Sequence, residues 1–179
     1  MAIRKLPDRD LVRQLLHYDV ASGVFAWKPR PRSMFRNEQN FRLWNTRYAG
    51  KAAGTINPAG HLRVAVGHIQ YRAHRLVWLY MHGEPVPDVI DHIDHNKLNN
   101  RFTNLRAATK LQNGANSGKR KNNTTGIKGV GLLPHGSYRA RIMFNGKDIA
   151  LGRFKTLEEA AKARFEAATR LHGVFARHD

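Results

Sequence analysis

The chain has 179 residues, no cysteine, and 31 Lys and Arg against 13 Asp and Glu, a formal net charge of +18. The missing cysteines exclude disulfides and every cysteine-ligated zinc site and suit a reducing cytoplasm, while residues 1–7 lack a signal-peptide core and no apolar run reaches the length of a membrane span. So large a positive excess goes beyond what solubility needs and points to a polyanion held by phosphate neutralisation; a membrane surface would call for a basic amphipathic helix or a lipidation signal, and neither is present.

In chain order, Asp8 is placed to cap a short helix over 8–17, with Leu11, Val12, Leu15 and Leu16 on one side. Residues 18–28 read as turn and strand, and 29–48 as an irregular loop, because Pro29-Arg30-Pro31-Arg32 and scattered Asn, Arg and aromatics carry no period. Alternation returns at Leu62, Val64 and Val66. Gly67-His68 then leads into 69–72, so a hairpin is expected. Residues 73–82 predict a helix burying Leu76, Val77, Leu79 and Tyr80 and stopped by Gly83 and Pro85. This block would present Arg63 and Arg72 outward to nucleic acid.

Residues 86–116 hold the candidate chemistry. Four of the thirteen acidic residues (Glu84, Asp88, Asp91 and Asp94) fall within eleven positions of a strongly basic chain. Carboxylates set where a polyanion would lie repel it unless a divalent cation offsets them. Residues 89–93 read as a strand, on which Asp91 and His92 would point to opposite faces unless the strand bends. Asn104 lies twelve positions after His92, ahead of a short second strand at Leu105-Arg106. Thr109 with Gln112 forms a capping box that starts a helix near Lys110 and puts Asn113 on its first turns. A carboxylate, an adjacent imidazole and two distant amides suit metal-assisted attack on a phosphodiester. A site role for His74 stays open beside a capping or packing one. His82 and His95 are expected to face solvent, and a zinc site from His74, His82, His92 and His95 has no recognisable ligand spacing.

Asp91-His92-Ile93-Asp94, Asn99-Asn100-Arg101, Asn104-Leu105-Arg106, Thr109 and Gln112-Asn113 together resemble the motif of the HNH, or ββα-metal, nucleases. Residues 71–78 resemble the stretch that precedes it. The variant resembled has asparagine in place of the final histidine, as in phage and intron-encoded homing endonucleases. The resemblance implies that Asp91 and Asn113 ligate one Mg²⁺, for which Mn²⁺ would substitute. It implies that His92 is the general base toward water and that Asn104 fixes the loop or the orientation of His92. The implied product has a 5′ phosphate and a 3′ hydroxyl.

Residues 117–125 are polar and basic, a linker by composition. Beyond them, strands are expected over 128–132, 138–144 and 147–154, with Asn145-Gly146 as a hairpin turn. Thr156 and Glu159 form a capping box for a helix that Gly173 stops. Residues 117–155 carry nine Lys or Arg and one acid, Asp148. With Ala140 and Ile142 facing the helix, Arg139 and Arg141 share the open face, and Lys128 and Arg153 are expected on the same side. Such a sheet enters a major groove, where arginine reads guanine. Gly129-Val130, Tyr138-Arg139-Ala140, Leu151-Gly152-Arg153-Phe154, Glu158-Glu159-Ala160-Ala161 and Leu171-His172-Gly173 resemble the Apetala/ethylene-response-factor type of DNA-binding domain. Lys119, Arg120 and Lys121 would follow the backbone between modules.

The expectation is therefore an α+β protein. Residues 1–116 would form a nuclease domain in which an N-terminal hairpin and helix region leads into a ββα-metal core at about 86–116. Residues 117–125 would be a basic linker, and 126–179 a three-stranded antiparallel sheet on one helix. The function expected is Mg²⁺-dependent, site-specific cutting of double-stranded DNA in the cytoplasm of a phage or bacterial host, by a monomer or by a dimer formed on DNA. The alternative is a non-catalytic DNA-binding regulator with a nuclease-like fold, which needs no Asp-His-Asn-Asn set. An RNA-binding protein fits the charge but not that set.

Overall fold

A computed structural model describes residues 5–119 and 121–177. The chain divides into two compact units, residues 1–107 and 108–179. Both mix helices with small antiparallel sheets, an α+β architecture.

In the first unit, Asp8 caps α1 (Arg9–Leu15) by accepting from the amides of Asp10 and Leu11. The helix stops two residues before the expected end. Leu16 turns extended and opens β1 (Leu16–Asp19), where Leu16 and Tyr18 alternate inward with His17 and Asp19 outward. The apolar pair Leu15-Leu16 fits either period, and burial of Tyr18 decides for the strand. β1 pairs antiparallel with β2 (Val24–Trp27).

The expected loop over 29–48 contains α2 (Glu38–Tyr48). None of its side chains is fully buried, so no core-facing stripe announced it. Its supports are local. Asn37 caps it, Glu38 binds Arg32 and Arg42, and Phe35 meets Phe41 and Trp44. The Arg30 guanidinium lies 3.9 Å from the Trp44 ring centre.

β3 (Thr55–Ile56), β4 (Leu62–Val66) and β5 (Ile69–Arg72) form one sheet with β4 in the centre, and β3 is a strand the alternation did not announce. α3 (Ala73–His82) follows directly and ends at Gly83. One core joins Val12, Leu16, Tyr18 and Phe25 of the N-terminal segment to Val64, Leu76, Val77 and Leu79. Upon it lie β6 (Val89–His92) and β7 (Leu105–Ala108), paired with each other and contributing Ile90 and Leu105.

The second unit opens with α4 (Lys110–Ala115), capped by the expected Thr109–Gln112 box. β8 (Val130–Leu132), β9 (Tyr138–Phe144) and β10 (Lys147–Phe154) make a sheet with β9 central, and α5 (Leu157–His172) covers one face with the Thr156–Glu159 box at its start. Val130, Ala140 and Ile142 of the sheet meet Ala160, Ala167 and Ala168 of the helix. Segment 117–125, expected as a linker, makes specific bonds: Asn123 Nδ2 donates to the carbonyls of Ile127 and Val130, and Thr125 Oγ1 to that of Val130.

The β1–β2 turn braces the residues before β7. Gly23 has φ of +76°, and a Cβ there would fall 2.4 Å from the amide nitrogen of Arg101. Tyr18 Oη donates to the Asn100 carbonyl at 2.9 Å. Gly23→Ala should therefore cost about 3 kcal/mol in urea unfolding, combining left-handed backbone strain with a backbone clash; an unchanged midpoint would show that the turn does not hold that segment.

Candidate functional site

Asp91 and His92 end β6, and both are buried, each 6% exposed. On a continuing strand one of them would have faced outward. The strand instead stops at His92, where the Ile93 amide bonds the Asn104 carbonyl and the His95 amide closes a turn onto His92. The loop then folds back over the imidazole.

Asp91 faces Arg106 of β7. Oδ2 accepts from Nε at 2.9 Å and Nη2 at 2.8 Å, in a pair that is largely enclosed. His92 Nε2 lies 3.3 Å from Asn100 Oδ1. Asn100 is 1% exposed, and its Nδ2 donates to the Leu98 carbonyl, which turns its oxygen toward the ring. Nε2 is thereby assigned the hydrogen and Nδ1 the basic electron pair.

Asn104 holds the loop and not the imidazole. Its Oδ1 accepts from the Asp94 amide, and its Nδ2 donates to Asp94 Oδ1 and to the Asn99 carbonyl. Asn99 and the Asn96 amide complete the shell of Asp94. Burial raises the Asp94 pKa, but the bonds from Asn99, Asn104 and Asn96 outweigh it and hold the group below the usual carboxylate range. Of the two roles expected for Asn104, the geometry supports loop fixing. Asn100, named from sequence only as part of the Asn99-Asn100-Arg101 stretch and not as a site residue, is the side chain on His92.

Two further histidines enclose His92. The His74 ring stands edge-on to it, 5.2 Å between centres at 88°, and His61 lies 5.7 Å from His74 and 6.5 Å from His92. His61 escaped the sequence reading because β4 alternation puts it on the outward side with Arg63. Burial dominates all three rings. It lowers His74 to about 3 and His61 to about 4, with neighbouring positive groups adding to the effect. It lowers His92 as well, against opposing contributions from Asn100, Asp94 and Asp91. The site is thus a neutral pocket of imidazoles.

His82 and His95 do not join this group. His82 is exposed and lies against Trp78 and Phe102, and His95 is exposed on the loop with φ of 63°. Among the described residues no group of three His, Cys, Asp or Glu is arranged to hold a metal. Asn113, the other expected ligand, is exposed on α4 and belongs to the second unit. The Asp91 carboxylate is a donor of the hard-oxygen type that suits Mg²⁺ or Mn²⁺ better than softer metals.

The proposed contact arginines form two directly opposed pairs. Arg63 faces Arg72 across β4 and β5, and Arg139 faces Arg153 across β9 and β10. Like charges in register repel, and a polyanion relieves the repulsion. Arg139 and Arg141 lie exposed on the face opposite the buried Ala140 and Ile142, with Arg141 held 2.9 Å from Asp148. Lys128 departs from the expected face: its Nζ donates to the carbonyls of Gly114, Ala115 and Ser117 at the end of α4. Lys119 Nζ reaches the Gly126 carbonyl, and Lys121 is exposed. Arg120 lies outside the described residues.

A family model described as HNH endonuclease matches residues 71–115, which span α3, both strands of the site and α4. Protein 3.8 of Escherichia phage T7 is 36% identical over 113 residues, covering 59% of this chain and 88% of that protein. The chain carries an HNH endonuclease domain. A protein of Acanthamoeba polyphaga mimivirus named as an uncharacterized HNH endonuclease is 38% identical to this HNH chain over 105 residues, 58% of the chain. The chain spans about half of that relative, 54% of its length. No solved structure matches. Among the described residues no helix is long and apolar enough to cross a membrane.

The buried neutral histidines tie stability to pH. A histidine whose folded pKa lies below its unfolded value takes up a proton on unfolding, so stability falls as pH drops through the unfolded value toward the folded one. For His74 that window runs from 6.5 down to about 3. Stability should fall between pH 7 and pH 5 by up to about 1.4 kcal/mol per pH unit per group below pH 6.5, and His74→Gln should flatten the slope. Urea titrations at the two pH values check this; equal slopes in both proteins would contradict it.

Proposed function

We propose that this protein is a site-specific, divalent-metal-dependent DNA endonuclease of the asparagine-ending HNH type, with the first unit carrying the base and the C-terminal sheet gripping DNA. The observation that carries the reading is the pairing of a buried, neutral His92 with the fixed Asp91 carboxylate, next to arginines opposed in register. His92 would accept the proton of the attacking water at Nδ1, while Asn100 holds the ring through Nε2. Asp91 and Asn113 would hold Mg²⁺, for which Mn²⁺ would substitute. When bound, the ion supplies Lewis-acid stabilisation to the phosphate and the leaving 3′ oxygen. Arg106 orients Asp91 for that role through its two contacts to Oδ2. Asn104 and Asp94 keep the loop closed on the ring. Hydrolysis would leave a 5′ phosphate and a 3′ hydroxyl.

DNA would lie on the open face of the β8–β10 sheet, where Arg139, Arg141 and Arg153 stand, with Arg63 and Arg72 adding phosphate contacts beside the cutting site. The segment from 126 on would act as an Apetala/ethylene-response-factor-like module. One such centre serves one phosphodiester, so a monomer would nick and a double-strand break would need a second copy.

Nicking of supercoiled plasmid tests the reading. Wild type should cut with Mg²⁺ and not with EDTA, and His92→Ala should lower the rate by about 10²–10⁴ while DNA binding is kept. Asn113→Ala should raise the metal concentration required. DNA binding without cutting, under any metal and on every substrate, would favour the regulator instead. Replacing Arg139 and Arg141 together by Gln should reduce the slope of log affinity against log salt by about 1–2, nearer 1 because Asp148 already shares the charge of Arg141. An unchanged slope would remove the sheet from the interface.

A further inference from the structure

Arg164 breaks the pattern of α5. It is 5% exposed on a helix whose other buried side chains are alanines, and its Nε and Nη1 are enclosed without a hydrogen-bond partner among the described residues. The guanidinium is seated against Gly129, where a Cβ would lie 2.7 Å from Nε. Desolvation lowers its pKa, and among the described residues no carboxylate acts against it. An enclosed charge without a counter-charge costs several kcal/mol as a rule, so a fold that keeps one has a use for it.

Arg164 lines a cavity of about 310 Å³. Its walls include Ile127 and Phe165, and among the described residues its other charged lining side chains are Lys128, Lys162 and Arg177, with no acid. Lys128 is tied to the carbonyls ending α4, and Arg177 reaches the Asn116 carbonyl, so the surrounding charge is fixed in place. The cavity lies on the α5 side of the module, whereas Arg139 and Arg141 stand on the uncovered sheet face. The proposed groove contact therefore does not account for it.

We infer that this cavity binds one phosphate group, offered either by a nucleic-acid backbone or as free phosphate. A tetrahedral oxyanion carries acceptors enough for the guanidinium and Lys162 together and supplies the missing counter-charge. The apolar walls leave room for an attached sugar. This inference does not depend on the nuclease reading, since it concerns neither Asp91 nor His92.

The test titrates inorganic phosphate into the full chain by calorimetry. One equivalent should bind, and Arg164→Met should weaken it at least about tenfold. Methionine keeps the stem and removes the unpaired charge, so the fold, checked by circular dichroism, should be kept. Lys162→Gln, at an exposed position, should weaken binding about threefold, and Lys155→Gln should not change it. Displacement of phosphate by duplex DNA would identify the natural source as a backbone, and simultaneous binding would identify free phosphate; either supports the site. Equal affinity in wild type and Arg164→Met would mean diffuse attraction to a basic surface and overturn the inference. So would no binding at all, the result expected if a carboxylate of the chain already fills the cavity.

Discussion

An imidazole forced to stay neutral is the constraint from which the first unit takes its meaning. His92 sits at the last position of a strand, roofed by a loop and flanked by two other rings whose own protonation burial suppresses. A protonated ring there would face Lys97 and the two other histidines, and burial outweighs the opposing pull of Asn100, Asp94 and Asp91. The same enclosure that lowers its basicity keeps the neutral form predominant near neutrality. The loop must stay shut for this to hold, and Asp94, Asn99 and Asn104 shut it with hydrogen bonds contained within eleven residues.

Support for that loop comes from far away in sequence. Tyr18 and the Gly23 turn press on Asn100 and Arg101, so an N-terminal hairpin some eighty residues upstream helps to place the side chain that orients His92. The family match begins only at residue 71, yet the segment before it supplies part of the core and one wall of the histidine pocket. Packing therefore joins the compact HNH segment to a larger scaffold. The second unit repeats the economy on a smaller scale: three strands and one alanine-lined helix are enough to hold a row of arginines outward.

Much of this could be read from the sequence because the signals were local. The capping boxes at Thr109 and Thr156 and the Asn145-Gly146 turn each depend on a few neighbouring residues. What could not be read depended on partners far away, or on burial that contradicts residue type. α2 has no buried face, so hydrophobic period was silent about it. His61 looked outward by alternation and was drawn toward His74 by the tertiary fold. Arg164 sits where helical pattern and charge together argue for a smaller side chain. Lys128 looked like a DNA contact until helix α4 presented it with three carbonyls.

The most direct measurement is the nitrogen-15 spectrum of the His92 ring followed through a pH titration. The account predicts a neutral ring at pH 7 with the hydrogen on Nε2, and a proton taken up only below the ordinary histidine range. A ring already charged at pH 7, or one carrying its hydrogen on Nδ1, would contradict it.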